Sequence, residues 1–140
     1  MQSGKPLVLI VNAELDVRAR IAERLHKAGM GTVLAGNGLE ALSKYRKYKH
    51  FLDAIFTDVR CKGGHAIDGY QFVSMILRQG AFSPPPIFFT THAPYPYKWR
   101  DLISLSGRKV IKDPLKNEHL LPHIIQNALV RSEEPVAIPA

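Results

Sequence analysis

The chain has a single cysteine, Cys61, so no internal disulfide can form, and the sequence fits a reducing compartment. No apolar run approaches the roughly 20 residues that a membrane-spanning helix needs. The opening MQSGKP lacks the apolar core of a secretory signal, and the expected location is the cytoplasm. Acids are scarce: 12 Asp and Glu stand against 19 Lys and Arg, giving a formal net charge of +7 and a sequence pI near 9.7. That excess points to acidic partners as a class and says nothing about fold. There is no internal repeat and no linker. The first apolar run is followed by NAELD, which offers no glycine-rich or hydroxyl-rich phosphate cradle and disfavours a flavin or nucleotide enzyme.

What is present suffices for one domain. At 140 residues with 46% hydrophobic side chains, the chain is long enough to bury a core without staples. It is organised around Phe51 to Asp58, FLDAIFTD, whose length and aromatic or β-branched content suit a buried parallel strand ending on a carboxylate. Ligands bind beyond the carboxyl ends of strands in open α/β sheets, which makes Asp58 the first candidate. An Asp at that position is also a common turn former, so its weight depends on what the other strands bring beside it.

Leu7 to Val11, LVLIV, reads as a first strand, and Asn12 to Glu14 turns the chain into a helix with Val17, Ile21, Leu25 and Ala28 at helical spacing, closed by Gly29. Thr32 to Ala35 is a second strand. Gly36-Asn37-Gly38 then marks a turn into a helix carrying Leu39, Leu42 and Tyr45. After Asp58 comes a loop, Val59 to Asp68, and a helix from Gly69 with Phe72, Val73, Ile76 and Leu77 inward. Three prolines lead into a fourth strand, Ile87 to Thr91, and Lys109 to Lys112 reads as a fifth. Asn117 to Arg131 places Leu120, Leu121, Ile124, Ile125, Ala128 and Leu129 on one side of a last helix, with Pro122 in its first turns. Five alternations of strand and helix predict a parallel sheet covered on both faces. Asn12, Ala13, Asp58, Thr91 and Lys112 follow or end the strands and gather on one edge.

That collection resembles the receiver domain of bacterial response regulators over Lys5 to about Arg131, carried by LVLIVNAE, IFTDVR with IDGYQF, IFFTTH and VIKDPL in order. The resemblance implies a receiver-like domain over residues 5–131, with 132–140 an untied tail. It also implies a doubly wound, flavodoxin-like sheet of strand order 2-1-3-4-5. Asp58 matches the phosphoacceptor, Thr91 the switch hydroxyl and Lys112 the lysine that pairs with the phosphoryl group. Arg60 matches the position whose backbone carbonyl helps hold magnesium. A sensor histidine kinase or another signalling protein is the implied partner, with a homodimer as an alternative assembly. The expected output is protein contact from a stand-alone signalling module rather than enzymatic turnover.

The departures from the family pattern concern the metal. Its acidic pair is here Asn12 and Ala13, and magnesium is bound poorly without one or two carboxylates. Asp58 and Lys112 alone sum to zero charge and form a natural ion pair, so the magnesium site is expected to be lost, with no cofactor and impaired magnesium-dependent phosphorylation. Glu14 is the nearest spare acid. The loop from Asp58 to Gly69 is longer than usual, Asp113 separates Lys112 from Pro114, and His92 follows Thr91 where the family has a small residue.

Other patterns carry weaker readings. Cys61, His65, His92 and Asp58 have types that suit zinc but no diagnostic spacing. KYRKYK, Lys44 to Lys49, interleaves bases with aromatics as single-strand binders do, and a small basic nucleic-acid-binding protein on the same fold is the alternative function. Packed tyrosines with a solvated basic face are the plainer account, and nucleic acid is not the expected partner. Tyr95, Tyr97 and Trp99 lie where receivers have their fourth helix, a docking or dimerisation face. If they form such a face here, Trp99→Ala abolishes partner binding or dimerisation with little change in melting temperature; a large fall in melting temperature assigns Trp99 to the core instead.

Overall fold

Successive side chains of a strand point to opposite faces, so a strand apolar at both parities must be covered on both. In β1 (Leu7–Val11), Leu9 and Val11 enter one buried cluster while Val8 and Ile10 enter another. The same division runs through β3 (Ala54–Asp58), with Ile55 on the first side and Ala54 and Phe56 on the second. In β4 (Ile87–Thr91), Ile87 and Phe89 oppose Phe88. Helices α2 (Gly38–Tyr48) and α3 (Gly69–Arg78) close the first cluster; α1 (Leu15–Lys27) and the last helix, α4 (Leu121–Glu133), close the second. A 3-10 turn at Glu118–Leu120 leads into α4.

With β2 (Gly31–Ala35) and β5 (Val110–Lys112), the strands form one parallel five-stranded sheet of order β2-β1-β3-β4-β5, the expected doubly wound arrangement. The computed structural model describes residues 4–59, 67–78, 85–91, 110–112 and 118–133.

Local chemistry fixes the helix ends. After α1, Gly29 takes φ +85°, its N–H donates to the His26 carbonyl, and the Met30 N–H reaches the Leu25 carbonyl. These two bonds satisfy carbonyls that the helix end would leave open, and they turn buried Met30 in beside Leu25. At α2 the Asn37 side chain accepts from the Glu40 N–H, and the Glu40 carboxylate accepts from Gly36 N–H. At α3, Asp68 and Gln71 exchange side-chain-to-backbone bonds in both directions, at 2.8 and 2.9 Å, a complete capping box.

Several sequence assignments shift. The central strand starts at Ala54 rather than Phe51: the Phe51 and Leu52 N–H groups bond back to the Tyr48 carbonyl, and Phe51 is left 53% exposed in the turn. Ala28, Leu39 and Leu120 face solvent instead of the core, with Ala22 and Ala41 taking inward positions. The last helix is α only from Leu121 and runs to Glu133, with Pro122 in its first turn, where a missing N–H costs nothing.

Two glycines set how closely the elements approach. A Cβ on Gly38 would overlap the Ile67 carbonyl, which accepts the Gly38 N–H at 2.9 Å. A Cβ on Gly69 would overlap the backbone carbonyl of Asp58 itself. The start of α3 is therefore pressed against the end of β3, and the Tyr70 N–H bonds to the Val59 carbonyl. Gly69→Ala is expected to force these backbones apart and to cost about 1–3 kcal/mol, the usual range for overpacking. Urea unfolding checks this, and an unchanged midpoint would mean that the α3 start slides aside freely.

Candidate functional site

Because all the strands are parallel, their carboxyl ends share one edge. Register puts Val11, just before Asn12, opposite Thr57, Asp58 opposite Thr90, and Thr91 opposite Lys112. Asn12, Asp58, Thr91 and Lys112 are thus carried to the same edge by adjacent strands in the order β1, β3, β4, β5.

Asn12 is buried, at 2% exposure. Its N–H bonds to the Ala35 carbonyl on β2, and its side-chain oxygen accepts from the Glu14 N–H at 2.9 Å, a turn in which the side chain stands in for backbone. Its carbonyl accepts from Arg18 Nη1 at 2.7 Å. Asn12 therefore builds the turn between β1 and α1. Ala13 is half-buried and brings no donor atom, and Glu14 is exposed at the N-cap position of α1. Asp58 is half-buried, and its carbonyl accepts from the Thr57 hydroxyl at 3.0 Å.

Thr57 and Thr90 are hydroxyls that the sequence reading passed over, both buried at 1% exposure or less and both on the strand ends beside Asp58. Arg18 lies off the apolar stripe of α1, yet it is half-buried and folded back onto Asn12. Nothing in the sequence distinguishes it from Arg20, which bonds Glu118. The role of Gly69 had a signal, a glycine opening a helix right after the Asp58 loop, but its contact with Asp58 is a tertiary fact.

Arg60, Cys61, His65, His92, Tyr95, Tyr97, Trp99 and Asp113 lie outside the described residues. No group of three or more His, Cys, Asp or Glu that could hold a metal ion occurs among the described residues. The KYRKYK segment does not offer two stacking rings: Tyr45 is 2% exposed and edge-on to Phe72, with burial pushing its phenol pKa up, and Tyr48 packs half-buried under Lys47.

Residues 8–125 match the family described as response regulator receiver domain. Among solved structures, the chain is similar to the chemotaxis protein CheY4 of Vibrio cholerae, at 26% identity and TM-score 0.72, over 89% of this chain and 99% of that one. A two-component response regulator from Clostridium difficile aligns at 22% identity and TM-score 0.77, covering 93% of this chain and 100% of the other. A receiver domain protein from Clostridium thermocellum shares the fold at 16% identity and TM-score 0.77, over 91% and 97% of the two chains. No curated protein matches the chain.

Proposed function

The chain belongs to the response regulator receiver family of two-component signalling, and from that premise we propose that it signals through protein contact, with Asp58 in the phosphoacceptor position and magnesium-dependent phosphorylation impaired. Receivers are signalling modules that work with histidine kinases. No described helix is long and apolar enough to cross a membrane.

The observation that carries the proposal is the β1–α1 turn. Asn12 has committed its side-chain oxygen to the Glu14 N–H, the Ala13 side chain has no oxygen to offer, and Glu14 is exposed on the helix cap. Magnesium needs near-octahedral oxygen ligation and usually one or two carboxylates. Of the positions matching the family's metal site, Asp58 alone keeps a carboxylate, and the set does not fit the ion.

Phosphorylation of Asp58 is a displacement at phosphorus: a carboxylate oxygen forms the new bond, and the bond to the donor's leaving group breaks. Positioning and charge neutralisation supply most of the catalysis in such transfers. Lys112 at the end of β5 and Thr91 at the end of β4 are the proposed partners of the transferred group, and Arg60, from the loop after Asp58, is a further guanidinium for it. Without a divalent ion the transfer loses several kcal/mol of charge stabilisation. The module then works chiefly in one state, by contact with a partner, with Tyr95, Tyr97 and Trp99 the proposed contact residues.

Acetyl phosphate labelling read by intact mass tests this. The wild-type protein is expected to gain little phosphate, with magnesium making hardly any difference and Arg60→Ala lowering what remains. Asn12→Asp with Ala13→Asp is expected to create a magnesium site visible by calorimetry, together with labelling that Asp58→Asn removes. Rapid, stoichiometric, magnesium-dependent labelling of the wild-type protein would overturn the proposal and leave an ordinary receiver.

A further inference from the structure

At the opposite end of the molecule, the last turns of α1 and the start of α4 leave a groove of about 360 Å³. Helix α1 leaves the Asp58 edge at Leu15 and runs back along the sheet, so its final residues, with Met30 at the entry to β2, lie at the amino ends of the strands. The groove is thus separate from the phosphoacceptor edge. Its α1 wall carries Arg24 and Lys27, the facing wall has His119 from the 3-10 turn with His123 and Gln126 from α4, and buried Met30 lies at its base.

Among the described residues, no carboxylate lines it. The nearest acids are already engaged: Glu118 lies 2.9 Å from Arg20 and 3.7 Å from Arg24, and Glu23 is 4.0 Å from Lys27. One carboxylate, Glu118, is thus shared by two guanidiniums, Arg20 and Arg24. Lys27, 69% exposed, is free to swing from its distant partner. The hydrogen bond from Arg20 holds the Glu118 carboxyl below its usual pKa, which keeps the α1–α4 clamp ionised.

A concave site of this size with cations on one wall, imidazole and amide hydrogen-bonding groups on the other and an apolar base has the make-up of a small-ligand pocket. Its charge selects an anion. Guanidinium and ammonium groups suit phosphate oxygens, while Met30 and Pro122 offer contact to a non-polar or flat body. We propose that this groove binds a small organic phosphate of nucleoside monophosphate size, giving the protein a ligand site independent of Asp58.

Calorimetric titration with AMP, adenosine and inorganic phosphate tests it on the full chain. AMP is expected to bind, to weaken as salt is raised because the contacts are ionic, and to bind more tightly than either of its parts. Lys27 and His123 are both exposed, so Lys27→Gln with His123→Gln is expected to keep the fold, checked by circular dichroism, and to weaken AMP about tenfold or more, equivalent to about 1.4 kcal/mol. Asp58→Asn is expected to leave AMP binding unchanged. No heat with AMP at millimolar concentration overturns the proposal, as does equal affinity for AMP and inorganic phosphate, or binding that the double variant leaves intact.

Discussion

The contact of Gly69 with the Asp58 carbonyl is the constraint on which the candidate edge depends. It joins the end of the central strand to the start of α3 without an intervening side chain, so the long loop between them leaves and returns at nearly the same point. The capping box of Asp68 and Gln71 fixes that return, and the Ile67 carbonyl passes the restraint on to Gly38 at the start of α2. Two helix starts and one strand end are thereby fastened together on one face. Length in the loop between Asp58 and Gly69 can then vary without moving Asp58, because the anchors lie on either side of it.

The division of the core explains why so much of the architecture was legible. LVLIV and IFFTT are apolar at both parities, a pattern that only a sheet covered on both faces accommodates, and the turn residues between elements gave their order. Where the reading failed, the apolar character was local and the exposure tertiary. Phe51 prolongs an apolar run into the strand, yet the bond from its N–H to Tyr48 belongs to the end of α2 and turns its ring out. Leu39 and Leu120 sit at helix starts, where a one-residue change in phase decides whether a side chain meets the sheet.

The site divides in the same way. That Asn12, Asp58, Thr91 and Lys112 share an edge follows from strand order and parallel direction, both of which the sequence pattern carries. What the side chains there do is another matter. Asn12 and Arg18 are six residues apart, and their bond depends on how α1 leaves β1; Thr57 and Thr90 are buried by neighbouring strands. None of this has a spacing signature, since a hydroxyl or guanidinium reads the same in a sequence whether it is solvated or folded inward.

The turn at Asn12 also shows what kind of change separates this chain from the family pattern. An Asp at position 12 would accept the Glu14 N–H as readily as Asn12 does, since both residues form this turn through a side-chain oxygen. The bond from Arg18 goes to the backbone carbonyl and is indifferent to the side chain. Ala13 is only half-buried, so a longer side chain there has an outlet to solvent. The loop therefore has the shape to present acids and lacks only their charge. Relative to the family pattern, two acids beside Asp58 are replaced, and with them goes the mutual repulsion that a divalent ion would otherwise balance. The departure is one of charge and not of backbone: the turn that Asn12 builds would form equally with an acid in its place.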